Sequence, residues 1–363
     1  MKTWFEESPD LPKRGSVSLE DESFRHCHIR KTMLGLVSAL AYIHREINGM
    51  IGFHHDIKPS NVILFLEPEP TWKICDFGTA NLKDPKEGTG TAFTPENEFG
   101  TYTYRPPEFF KDEGIAQHGR AFDVYSLGCV MLELATVFIY GWKPEGLPAF
   151  KQQRRDASEN VYLGRLKQKP DASFHNSPKA VESWIKHLRN KTESAEDSKK
   201  LSDIIQALDV ISDMLLSRYK RIFAWEVEMD LYEIFNPESS VEDRAKRLRN
   251  IVQQSATPLD QTKEQHNPMS RAIQRNKGQW YTEILQGRDW YYSARALSRR
   301  STSRAFDLDH GKHRPRTNLE KVATTRDFRS AHFFGRHNIH ERIISGFQGH
   351  NTVIGLHGKS GVG

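Results

Sequence analysis

The chain's chemistry is concentrated in a loop reading His54-His55-Asp56-Ile57-Lys58-Pro59-Ser60-Asn61, followed fifteen residues later by Asp76-Phe77-Gly78. Phosphoryl transfer needs a carboxylate at the attacking hydroxyl, hard oxygen ligands for Mg²⁺, and a cation near the moving phosphate. These residues offer all three. Asp56 can orient a hydroxyl and accept its proton. Lys58 can neutralise charge developing on a γ-phosphate. The Asn61 amide oxygen can bind metal, and Asp76 can hold Mg²⁺ against the phosphates of ATP, because that ion prefers carboxylate oxygen. Gly78 frees the backbone to turn.

The surrounding elements must place these groups. Residues 25–44 carry apolar side chains at three- and four-residue steps and predict a helix leading to the loop. Residues 51–56 read as loop. Residues 62–65 and 72–75 read as short strands, separated by Glu67-Pro68-Glu69-Pro70, where each proline removes a donor and forces a turn. The polar stretch 81–98 looks mobile. Residues 123–138 are apolar nearly all round, the mark of a buried helix. Residues 142–177 read as polar and irregular. Helical periodicity returns at 180–188, 201–216 and 222–235, then weakens.

In this order and spacing, the motifs resemble those of the protein kinase superfamily. Asp76-Phe77-Gly78 stands unchanged from the family's metal-binding motif. Pro106-Pro107-Glu108, preceded by Gly100-Thr101-Tyr102-Thr103-Tyr104-Arg105, matches its APE-type motif, and Asp123-Val124-Tyr125-Ser126-Leu127-Gly128 its central helix. The resemblance covers roughly residues 24–235 and implies an α+β, protein-kinase-like fold, mainly its helical C-lobe. It implies that Asp123 holds the catalytic-loop backbone, that Glu108 pairs with Arg221, and that His54 stacks with Phe77. It also places Ile63 under the adenine of ATP. Lys58 and Thr101, as used in the family, favour Ser/Thr over Tyr acceptors, so the expected activity is that of a protein Ser/Thr kinase, with ATP, Mg²⁺ and a protein substrate.

Two departures stand out. His55 replaces the arginine that commonly clamps a phosphorylated activation loop, which puts activation through Thr89, Thr91 or Thr94 in question. The family's Gly-rich loop, strand lysine and partner glutamate should all precede Asp56, yet Gly15 is the only glycine before residue 35. The expectation is a remnant of the hinge over 1–24, a C-lobe over 25–237, and an absent N-lobe β-sheet. Weak or no activity alone would follow, and a non-catalytic, pseudokinase-like scaffold is the alternative.

The rest of the chain bounds other functions. It has 52 Lys+Arg and 47 Asp+Glu, but residues 241–336 hold 20 basic and 10 acidic side chains. Residues 238–325 read as a basic linker, partly disordered, with Trp280-Tyr281 and Trp290-Tyr291-Tyr292 as an aromatic exception. A partner protein could bind through 241–336; nucleic acid is unlikely, because no recognised motif is present. Cys27, Cys75 and Cys129 have neither metal nor disulfide spacing, and the opening residues lack an apolar core. An intracellular, cytoplasmic protein without a membrane span is expected. Over 326–363, a strand-like Thr352-Val353-Ile354-Gly355-Leu356-His357 leads into Gly358-Lys359-Ser360-Gly361-Val362-Gly363, the first six positions of a P-loop. This resembles the entry to a STAND-type (NB-ARC or NACHT) nucleotide-binding domain, an incomplete P-loop α/β start.

Overall fold

The computed structural model describes residues 1, 22–47, 50–65, 71–83, 101–110, 119–158, 162–163, 166–167, 172–193, 198–218, 220–254 and 268–286, all within the compact unit Met1–Ala294. The expectations for 326–363, for Thr89, Thr91 and Thr94, and for Trp290-Tyr291-Tyr292 lie outside them, as does almost all of 1–24.

Helix α1 (Glu22–Ile43) carries Ile29, Met33, Leu36, Val37, Leu40 and Ala41 on one buried stripe. It is followed by β1 (Glu46–Ile47) and β2 (Met50–Phe53), which pair antiparallel. The sequence reading of 51–56 as loop is corrected here: 51–53 belong to β2, which also pairs with β5 (Asn81–Lys83). Four residues interrupted by Gly52 are too few to show a periodicity, yet Ile51 and Phe53 alternate into a small apolar cluster of their own. The polar stretch from 81 therefore opens in a strand.

Between β2 and β5 comes the hairpin of β3 (Val62–Phe65) and β4 (Thr71–Ile74), with Val62 opposite Ile74 and Ile63 opposite Lys73. Trp72 anchors the hairpin to α1, its buried indole N–H donating to His28 Nε2 at 2.9 Å. Among the described residues no sheet exceeds three strands.

Helix α2 (Arg120–Tyr140) runs through the core and ends at Gly141, whose φ of 63° suits a residue without a Cβ. By length and composition α2 could cross a membrane, but 94% of its apolar stretch is buried within the protein. Its neighbours are α1, α3 (Leu147–Ala157), α4 (Pro178–Glu193) and α5 (Ser198–Met214); α6 (Ala224–Phe235) packs against α1 and α5. Within 142–177, read as irregular, lie α3 and a hairpin of β6 (Tyr162–Leu163) and β7 (Leu166–Lys167). The inward residues of α3 are Phe150 and Arg154, and a buried arginine hides the apolar stripe from a hydropathy reading.

The linker reading of 238–325 is corrected over three segments: α7 (Val241–Gln254), α8 (Pro268–Gln274) and α9 (Gln279–Gln286). Helix α7 buries Ala245, Leu248, Ile251 and Val252, and the Ser240 hydroxyl caps its start by accepting from Asp243 N. Arg271, Arg275 and Lys277 meet an acidic stripe made by Glu226, Asp230 and Glu233 of α6 with Asp213 of α5. Cations that pack by pairing carry no hydropathy signal. Tyr281 is buried in α9, which docks on α7 and α8.

Candidate active site

The loop 54–61 hangs between β2 and a 3₁₀ turn over Pro59–Asn61 that feeds β3. Its backbone is fastened from below by Asp123 in the first turn of α2. The fully buried Asp123 carboxylate accepts from His54 N (2.8 Å) and His55 N (2.7 Å), and meets His44 Nε2 at 3.0 Å. These bonds hold His55 at φ 64°, a left-handed conformation uncommon for a non-glycine residue. The His55 ring stacks on Phe53 (5.6 Å) and meets Phe122 edge-on (5.9 Å), so this position is buried among aromatics. Burial pushes Asp123 up, but the His44 hydrogen bond and the neighbouring histidines outweigh it and hold the carboxyl at about 2. Burial is also the main influence on His44 and lowers it below the usual histidine value, despite the Asp123 hydrogen bond that favours its charged form. At pH 7 a neutral His44 therefore donates its Nε2–H to an ionised Asp123.

Above this anchor, Asp56, Lys58, Asn61 and Thr101 form one hydrogen-bonded group. Lys58 Nζ donates to Asp56 Oδ2 (2.6 Å) and to Thr101 Oγ1 (2.7 Å). Thr101 donates to Asp56 Oδ1 from both its backbone N (2.8 Å) and its hydroxyl (3.0 Å). Asn61 Nδ2 donates to the Asp56 carbonyl (2.8 Å) and to Oδ2 (3.0 Å). With the amide nitrogen turned to Asp56, the Asn61 amide oxygen is the atom left for a cation. A carboxylate fixed on both oxygens, with an ammonium beside it, is arranged to receive a hydroxyl proton and stabilise nearby negative charge.

Asp76 comes alongside because Cys75 N donates to the Asn61 carbonyl at 2.9 Å. It sits at φ 62°, caps the 3₁₀ turn Phe77–Thr79, and is exposed. A Cβ on Gly78 would lie 3.2 Å from Asp76 Oδ1, so glycine leaves the carboxylate room. His54 fixes the approach: its ring meets Phe77 edge-on at 4.9 Å, its Nε2 lies 3.0 Å from the Cys75 carbonyl, and its own carbonyl accepts from Thr79 Oγ1. One amide and one carboxylate oxygen fit Mg²⁺, which usually keeps few protein ligands and shares the rest with phosphates and water. Ile63, on β3 two residues after Asn61, is an exposed apolar side chain, 48% accessible.

Glu108 and Arg221 lie apart from the reacting groups. Arg221 donates to both Glu108 oxygens (2.7 and 3.2 Å), twice to the Leu216 carbonyl and once to that of Ala121. All five guanidinium N–H groups are thereby used, so this nearly fully buried cation is satisfied. The pair ties the turn Pro107–Phe110 to the start of α2. Sequence reasoning did not single out His44, Thr79, Tyr104, Glu133 or Arg154. His44 directly follows α1, but nothing in its spacing points to Asp123, 79 residues away.

The protein kinase domain family matches residues 11–221. The chain is 35% identical over 152 residues to a probable receptor-like protein kinase of Arabidopsis thaliana, covering 39% of this chain and 29% of that protein. It is 31% identical over 182 residues to the probable serine/threonine-protein kinase PknB of Bifidobacterium longum, covering 49% and 23%. It is 34% identical over 122 residues to cyclin-dependent kinase G1 of Arabidopsis thaliana, covering 33% and 18%. The chain thus spans less than a third of the length of these relatives. A family match over more than half the sequence, across the loop, turn and helix just described, shows that the chain belongs to the protein kinase domain family.

Proposed function

We propose that this chain carries the catalytic-loop side of a protein Ser/Thr kinase, transferring the γ-phosphoryl group of ATP to a protein hydroxyl. The observation that carries this reading is the Asp56–Lys58–Thr101 group, in which one ammonium is bonded to both the carboxylate and the threonine hydroxyl. Asp56 orients the acceptor hydroxyl and takes its proton as the new O–P bond forms and ADP leaves. Lys58 stabilises charge on the moving phosphoryl group, and Thr101 keeps both in register. Mg²⁺, when bound at Asn61 and Asp76, would neutralise phosphate charge. Ile63 supplies an apolar floor for adenine.

The family's chemistry also uses a lid over the phosphates, which the described residues do not contain. The test therefore uses the natural full-length product in an intracellular, cytoplasmic setting. Asp56→Ala is expected to remove at least about 10²–10⁴-fold of phosphotransfer to a Ser/Thr peptide, with ATP binding retained. Unchanged transfer would remove Asp56 from its role. Absent transfer in the unaltered protein, with a partner still bound, would favour the scaffold reading. The P-loop resemblance over 326–363 is proposed as the entry to a nucleotide-binding domain and rests on sequence alone.

A further inference from the structure

We propose that Arg154 is a positioning residue for the acceptor loop 101–105, acting through Glu133 and Tyr104. The proposal rests on the kinase reading for its consequence, but its geometry stands independently. The loop is fixed at one end where Thr101 donates to Asp56. Three residues later it is fixed again. The Tyr104 hydroxyl donates to both oxygens of Glu133 (3.3 and 3.1 Å), the Tyr104 carbonyl accepts from Ser126 Oγ (2.9 Å), and the Thr103 carbonyl accepts from Phe174 N (3.1 Å). Glu133 and Ser126 belong to α2, the helix whose Asp123 also holds the loop 54–61.

Glu133 is buried, a costly place for a carboxylate without a cation. Arg154 of α3 supplies it. Its guanidinium lies between the rings of Phe150 (4.1 Å) and Phe174 (4.0 Å), with Nε donating to the Ala172 carbonyl (2.9 Å) and Nη2 approaching Glu133 at 3.4 Å. Only 3% of its surface is exposed. One cation therefore joins α3, the segment before α4 and the acidic end of the Tyr104 bond. If Arg154 is lost, Glu133 is left buried without its cation, and its charge-assisted hold on the Tyr104 hydroxyl is weakened. Thr101 then loses its second fixed neighbour, and Asp56 loses a well-placed donor.

Two measurements on the full-length protein test this. In Arg154→Met, hydrogen exchange over 101–105 should rise while exchange in α4 stays unchanged. In phosphotransfer, kcat should fall by about 10–100-fold with the KM for ATP unchanged, since misplacement of reacting groups acts on the transition state. Arg154→Lys, which keeps the charge, should recover part of both effects. If Arg154→Met does not fold, Glu133→Gln, which keeps the shape and removes the charge, should produce the same paired changes. Unchanged exchange over 101–105 in a folded variant would overturn the proposal. Absence of phosphotransfer in the unaltered protein would overturn the kinase reading alone, because the exchange experiment would still decide whether Arg154 holds the loop.

Discussion

Asp123 and His44 show how buried side chains set the shape of the loop that lies above them. Asp123 accepts two backbone N–H bonds and one imidazole bond, so the loop before Asp56 has one geometry. Both groups titrate below their ordinary values. A histidine kept neutral in the fold is protonated more readily in the unfolded chain. Stability is therefore complete above the ordinary value of 6.5 and falls as pH drops below it. Asp123 adds a second loss between its ordinary 3.8 and about 2, where the unfolded carboxyl takes up a proton first. Urea unfolding from pH 8 to pH 3 should thus show two declines. His44→Gln should reduce the upper decline, shrink the lower one as well because the His44 bond helps hold Asp123 low, and lower stability at pH 8 by about 1–3 kcal/mol for the lost bond to a charged group. A variant with the same upper decline would show that His44 is not its source.

At the scale of elements, the close approach of α2 and α5 sets where Asp123 and Glu133 stand. Gly128 permits it: a Cβ there would lie 2.9 Å from Met214 Cβ and 3.1 Å from Leu215 Cδ2. Gly128→Ala should push the helices apart and cost about 1–3 kcal/mol, the usual penalty for overpacking, in excess of the helix-propensity gain. Thermal unfolding measures it, and a stabilised variant would show that α2 and α5 can separate freely. This helix was legible in the sequence because its apolar residues are nearly continuous, as was α1 with its clean stripe. The candidate group around Asp56, with Asp76, could be picked out in the sequence because these residue types carry chemistry at fixed spacing. The strand Met50–Phe53 was hidden by its shortness, since its partners lie outside any local window. Helix α3 was hidden because half of its inward face is Arg154. His44 was hidden because its partner is distant in sequence.

Across the whole molecule, the helical body continues past the family match, which ends at residue 221, through α9 at Gln286. Arg271, Arg275 and Lys277 are fastened to α6 by ion pairs. Arg271 and Glu226 form a pair with side chains only 8% and 5% exposed, whereas Arg249 and Glu242 on α7 pair at 50% and 79% exposure. The two pairs look alike as a count of ion pairs and should differ in consequence. Water and mobile ions already compensate the exposed pair, and losing it is expected to cost no more than about 0.5 kcal/mol. Arg271→Met removes the cation bonded to both oxygens of the buried Glu226, a change expected to cost about 3–5 kcal/mol. The double change Arg271→Met, Glu226→Gln removes the stranded charge and should recover part of that loss, although Glu226 also accepts from Phe223 N at the start of α6. Chemical denaturation of Arg271→Met and Arg249→Met side by side decides the matter. Equal, small losses would mean that α8 and α9 are held by their apolar contacts, and that the acidic stripe on α6 is incidental to the extended body.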